Sequence, residues 1–278
     1  MTNRHDRNKN TNPRSLGILV KNKELEFLPE ITEDTEIYQI QDFGGEGISY
    51  LELLDKKLEK CIVDEKDKQE IDSIVDYLAE IHKTKHKSED KKILNAVYND
   101  FLRNIIGHPE YLLMLLHDIP QGNRVLSPKK QGEFISLMLE NMHYFKNESY
   151  RLSAIHGDFW GANVFFREDE SLYVVDHSRM PWGDPGFDVG FWLSQYLINY
   201  IKTENIYFKN LGEYFLEEYL KKTGDYDIMG IISYSLGLVA VMYCSPLIVP
   251  ELKDEVRKKI YDHTIEMLRK KEFFWPEY

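Results

Sequence analysis

The chain has 278 residues, 42% hydrophobic and 29% charged, with a formal net charge of −12. That composition excludes disorder of the whole chain, and the acidic balance argues against an extended nucleic-acid footprint, which needs a basic face to neutralise phosphates. Cys61 and Cys244 stand alone without CxxC or Cys/His spacing, so neither a disulfide framework nor a zinc site is signalled and a reducing, cytoplasmic setting is expected.

Residues 1–14 are polar, and Met1 to Asn12 lacks the apolar core of a secretory signal, so this stretch reads as a disordered tail. Short apolar or alternating runs follow at Gly17–Val20, Leu25–Leu28 and Glu36–Ile40, which predict a small sheet. From Asp64 the period lengthens. Ile71, Ile74, Val75, Leu78, Ile81 and His82 fall on one helical face, and His82 reads as a core histidine with no partner nearby in the sequence.

Further helices are predicted by Ile93, Leu94, Val97, Tyr98, Phe101, Leu102 and Ile105, then by Pro109 at a first-turn position. Another opens at Ser127-Pro128 and runs through Phe134, Ile135, Met138 and Met142. Strand periodicity returns at Val164–Phe166 and Leu172–Val175, either side of the polar turn Arg167–Ser171, and predicts a hairpin. Helical spacing then runs to the end, through Phe191, Leu193, Tyr196, Leu197, Phe215 and Tyr219. The apolar run Ile228–Val249 approaches membrane-spanning length, but Ser233, Tyr234, Ser235, Gly237 and Pro246 interrupt it, and a buried core helix is expected instead of a membrane partner.

The chemistry concentrates in Ile155-His156-Gly157-Asp158-Phe159-Trp160-Gly161-Ala162-Asn163, followed a dozen residues later by Val174-Val175-Asp176. Asp158 and Asn163 are five residues apart, and the hairpin would return Asp176 beside them. Hard oxygen donors of this kind suit magnesium, and a carboxylate among them can orient an attacking hydroxyl and accept its proton. Taken singly, Asp158, Asn163 and Asp184 read equally well as turn residues whose side chains bond local backbone.

In order and spacing, these residues resemble the aminoglycoside phosphotransferase and choline kinase group, whose catalytic loop reads H-G-D-x-x-x-x-N and whose metal-binding Asp follows an apolar strand. The group's later G-D-P-x-x-D element is matched by Gly183-Asp184-Pro185-Gly186-Phe187-Asp188, and Leu78–His82 is similar to its helix after the hinge. The resemblance implies an α+β, protein-kinase-like fold with a reduced N-terminal β-rich lobe and a larger, mainly helical C-terminal lobe. It divides the chain into 15–47, a truncated β lobe and hinge, and 48–278, the catalytic lobe with its hairpin.

It further implies ATP (or GTP) and Mg2+ as cofactors, with transfer of the γ-phosphoryl group to a hydroxyl of a small molecule such as an amino sugar or amino alcohol. Asp158 would be the base, Asn163 and Asp176 the metal ligands, and His156, Asp184 and Asp188 the support of the loop. The sequence matches a full small lobe poorly, because about forty residues precede the hinge. Lys21 has the strand-then-lysine look of the phosphate-binding element, but Glu24 and Glu26 follow too soon for an intervening helix.

Asp42-Phe43-Gly44 imitates the metal triplet of protein kinases but precedes the catalytic loop instead of following it. By position, Gln41, Asp42 and Phe43 read as the hinge that borders the nucleotide, while Gly44, Gly45 and Gly47 lack the GK[ST] of a phosphate loop. The eroded small lobe leaves a second reading open, a relative that binds nucleotide or ligand without turnover. Trp182, Trp192, Tyr196, Tyr200, Tyr214 and Tyr219 are candidate walls of a substrate pocket, although aromatic residues at helical spacing usually pack in a core.

Overall fold

A computed structural model describes residues 15–22, 24–26, 36–41, 47–107, 125–177, 179–246 and 248–277, with side chains from 47 onward. The chain divides into two compact units, Met1–Lys57 with Gly161–His177, and Leu58–Trp160 with Ser178–Tyr278.

In the first unit, β1 (Ser15–Asn22) is the centre of a three-stranded antiparallel sheet, with β2 (Glu24–Glu26) on one side and β3 (Glu36–Gln41) on the other. A second antiparallel sheet has the order β4–β6–β7, from Gly47–Ser49, Val164–Arg167 and Leu172–Val174. The hairpin predicted at 164–175 is β6–β7, with Val164 opposite Val174 and Phe166 opposite Leu172. Counted with the helical lobe in the sequence reading, it groups instead with the N-terminal segment. The cause is the pairing of Gly47–Ser49 with Phe165–Arg167, a long-range ladder that local periodicity does not encode. Ser49 ends β4 and caps α1 (Tyr50–Lys56) by accepting from the Glu52 N–H, and Tyr50 packs its ring 6.2 Å from Phe166.

The second unit is built from helices. α2 (Glu65–His82) begins with a reciprocal capping box between Asp64 and Asp67, and it buries Ile71, Ile74, Val75, Leu78 and His82 as the period predicts. α3 (Lys91–Gly107) buries Tyr98, Phe101, Leu102 and Ile105, while Ile93 is exposed. The segment opened by Pro109 lies outside the described residues. α4 (Pro128–Phe145) starts at Ser127-Pro128 as expected.

Two short strands, β5 (Ser153–Ala154) and β8 (Trp182–Gly183), pair antiparallel. α5 (Pro185–Thr203) follows, and sixteen of its residues are buried, so it runs through the core instead of along the surface. α6 (Ile206–Thr223), α7 (Met229–Cys244) and α8 (Asp254–Lys270) complete the unit: α5 packs on α6 and α7, α2 on α6, and α7 on α8.

α7 is the apolar run of the sequence. By length and composition Tyr226–Cys244 is the one candidate membrane span among the described residues, and 72% of its apolar window is buried inside the protein.

Candidate active site

Ile155–Trp160 belong to the helical unit, where the Asp188 carboxylate fixes the backbone of the loop. The His156 N–H donates to Asp188 Oδ2 at 2.6 Å and the Gly157 N–H to Oδ1 at 2.8 Å. Asp188 is fully buried in the first turn of α5, so both oxygens exchange water for fixed donors. Gly157 has φ +86°, and a Cβ there would stand 3.0 Å from the Met180 backbone, which is why a glycine is needed between His156 and Asp158. His156 is fully buried, and its Nδ1 accepts the Asp158 N–H at 3.2 Å. The Asp158 carboxylate is nearly buried, with Arg179 Nε 3.4 Å from Oδ2.

Behind Asp188 stands His82. Its Nε2 lies 3.1 Å from Asp188 Oδ2 and its Nδ1 2.8 Å from the Tyr219 hydroxyl. A carboxylate only accepts, so Nε2 donates to Asp188, while Nδ1 pairs with the Tyr219 hydroxyl. Burial, together with Asp225, Asp184 and Asp188, pushes the Tyr219 phenol well above its ordinary value and keeps its proton in place. The sequence reading of His82 as a core residue stands, but its lack of a partner is corrected: the partner is 106 residues away.

Asp184 carries a second network. It caps α5 by accepting from the Gly186 N–H at 2.9 Å, and it takes the Tyr98 hydroxyl at 2.7 Å and Arg151 at 2.7 and 3.0 Å. Arg151 also forks onto Asp225 at 2.6 and 2.9 Å. Burial alone would favour the neutral guanidine, yet Asp184 and Asp225 hold it charged, above its ordinary value. Lys85 beside this cluster bonds Ser153 Oγ at 2.7 Å and is pulled below its ordinary value by burial.

In the first unit, Asn163 and Asp176 come together at the base of the hairpin. The Val175 N–H donates to the Asn163 carbonyl at 3.0 Å, placing Asp176 one residue beyond that bond. Asp176 is exposed and has φ +60°, a left-handed backbone in which a non-glycine residue is uncommon, whereas Asn163 is buried. A carboxylate and an amide oxygen are the hard donors magnesium takes. Among the described residues no group of three or more His, Cys, Asp or Glu could hold a metal ion.

Of the nucleotide-side expectations, Lys21 sits in β1 opposite Leu25 and Glu36, and Gln41 ends β3 opposite Ser15. Asp42 and Phe43 lie outside the described residues. The candidate pocket walls divide: Trp192, Tyr196, Tyr200 and Tyr219 are core, Trp182 takes the His86 ring edge-on at 4.9 Å, and Tyr214 bonds Asp72 at 3.1 Å. Sequence reasoning missed Arg151, Tyr98 and Arg179. Arg179, three residues after Asp176, was within reach of motif reading. Arg151 and Tyr98 carried no local signal.

A family model described as the phosphotransferase enzyme family matches residues 40–229. No curated protein matches the chain. Among solved structures, a thermostable mutant of aminoglycoside phosphotransferase APH(4)-Ia in its apo form is 13% identical with a TM-score of 0.51, over 96% of this chain and 80% of that one. APH(3'')-Id from Streptomyces rimosus, in complex with ADP and streptomycin, is 14% identical with a TM-score of 0.48, over 83% and 75%. APH(2")-IIa in its gentamicin complex is 17% identical with a TM-score of 0.43, over 93% and 74%. At these identities a structural likeness speaks to fold alone, and the family match over most of the chain carries the assignment. The chain belongs to the phosphotransferase enzyme family and has its protein-kinase-like α+β fold.

Proposed function

We propose that the protein transfers the γ-phosphoryl group of ATP, with Mg2+, to a hydroxyl of a small molecule. The observation that carries this reading is the H-G-D-x-x-x-x-N loop, tied down through both oxygens of Asp188 in a chain of the phosphotransferase family. Backbone held in place immediately before Asp158 suits a base that must meet a hydroxyl in one orientation, because positioning supplies most of the catalysis in phosphoryl transfer. Asp158 accepts the proton of the attacking hydroxyl. Asn163 and Asp176 would hold a divalent ion, which would neutralise charge on the phosphates. Arg179 Nε lies 3.4 Å from Asp158 Oδ2 and pairs with that carboxylate. A net charge of −12 and the motif likeness favour a cationic acceptor, an amino sugar or amino alcohol, in the cytoplasm.

The test is nucleotide turnover across amino sugars, amino alcohols and neutral sugars, for wild type and Asp158→Asn. Phosphorylated product from wild type and none from the variant is the expected result. Equal turnover in both removes Asp158 from the chemistry. Magnesium-dependent nucleotide binding with no product from any acceptor favours the alternative reading, a relative that binds without turnover.

A further inference from the structure

The segment that follows α8 folds back onto α6. The Phe273 N–H donates to the Met229 carbonyl at 3.2 Å, and the Phe274 carbonyl accepts from His263 Nε2 at 3.0 Å, so its backbone is held from two sides. Trp275 seats its ring where α6 has no side chain: a Cβ on Gly212 would lie 2.4 Å from Trp275 Cζ2, and Tyr200 meets the same indole edge-on at 6.0 Å. Between this segment and α6 lies a cavity of about 510 Å³. It is open to solvent, since Glu217 and Tyr226 both line it and both are exposed, Tyr226 by 69%.

Leu216, Leu220 and Met229 make part of the wall apolar, and Tyr226, Phe274 and Trp275 add three aromatic rings. The charge among the lining residues is negative. Lys221 pairs with Glu218 at 3.1 Å and Glu213 with Lys209 at 3.7 Å, which leaves the Glu217 carboxylate without a partner among the described residues. Ring faces carry the negative end of the aromatic quadrupole and attract ammonium groups, and a carboxylate adds to that pull. The segment already shows this attraction, with Lys270 Nζ 4.2 Å from the Phe274 ring centroid. Lys270 is not part of the cavity wall, and no cation of the described residues stands over Tyr226 or Trp275. An anion would be repelled by Glu217 and by the ring faces, and a polyol would leave the apolar wall unmatched.

We propose that this cavity binds a small organic cation, an ammonium on an aromatic or branched apolar body. Glu217 and Tyr226 take the charge, while Leu216, Leu220 and Trp275 take the body. None of the lining residues belongs to the loop that carries Asp158 or to the carboxylates that hold that loop, so the site goes beyond the phosphotransferase reading and does not depend on it.

The experiment is calorimetric titration of the full chain, without nucleotide, with benzyltrimethylammonium, benzyl alcohol and phenylacetate. Saturable binding of the cation, weaker binding of the alcohol and none of the acid are the expected results. Glu217→Gln and Tyr226→Ala, both at exposed positions, should each raise the Kd of the cation about threefold or more, the loss of an ion pair or a cation–π contact near the surface. Asp158→Asn should bind the cation as wild type does. No saturable binding, equal affinity for the alcohol or the acid, or an unchanged Kd in Glu217→Gln overturns the proposal. Weaker binding by Asp158→Asn puts the cation beside the catalytic loop and overturns it as well. Should Tyr226→Ala fail to fold, Glu217→Gln and the comparison of the three probes decide the matter.

Discussion

Asp184 and Asp188 stand four residues apart, both fully buried, and their partners differ in kind. Asp184 neutralises a buried guanidinium, so its loss leaves Arg151 with the half-buried Asp225 as its remaining counter-charge and strips the Tyr98 hydroxyl and the α5 cap of an acceptor. Breaking a buried pair from one side costs about 3–5 kcal/mol. Urea denaturation of Asp184→Ala should show a loss of that order. Asp188 holds backbone N–H groups and His82, so its change strikes geometry more than charge. Asp188→Asn turns an N–H2 toward donors, and the Asp158 loop should shift; a misplacement near 1 Å costs about a hundredfold in rate. Turnover should fall accordingly while the nucleotide KM holds, and a variant as fast as wild type would detach Asp188 from catalysis. The motif residues were legible because their spacing along the chain is short and fixed. Tyr98, Arg151 and His82 were not, because each meets its carboxylate across 86, 33 and 106 residues.

At the level of elements, the 3.6-residue period located the helices and their inward faces wherever apolar side chains did the packing. It erred where a polar group was used instead. α4 buries Asn141 rather than Met142, because the Asn141 amide donates to the Leu268 carbonyl of α8 at 2.9 Å. The crossing of α5 and α7 depends on missing side chains: a Cβ on Gly190 would lie 1.7 Å from Ser235 Oγ. Gly190→Ala should destabilise by about 1–3 kcal/mol, the range for an overfilled core, and Ser235→Gly in the same chain should recover part of it, both read by denaturant titration.

The C-terminal segment adds a pH dependence. His263 Nε2 bonds the Phe274 carbonyl at 3.0 Å, and burial pulls this histidine below its ordinary 6.5 against the opposing pull of that bond and of Glu266. A lowered folded value means that the unfolded chain takes up the proton first. Stability from this group is therefore complete above about 6.5 and is lost as pH falls through the folded value. The melting temperature of wild type should drop between about pH 7 and pH 5 more steeply than that of His263→Gln; parallel curves would show that His263 is not the group responsible.

For the whole molecule, α7 is apolar enough to cross a membrane, yet its window is 72% buried against the other helices of its unit. Detergent phase partitioning should leave the full chain in the aqueous phase, and recovery in the detergent phase would mean that this face is not covered in solution. The amino-acid sequence by itself determined the family, the loop motif and most helix faces, because these depend on short spacings and on a local period. Tertiary structure alone decided that the hairpin joins the N-terminal segment through β4, that His82 braces Asp188, and that Arg151 neutralises Asp184. Strand pairing and buried polar contacts are chosen by which distant groups the fold brings within hydrogen-bonding reach, and no local pattern records that choice.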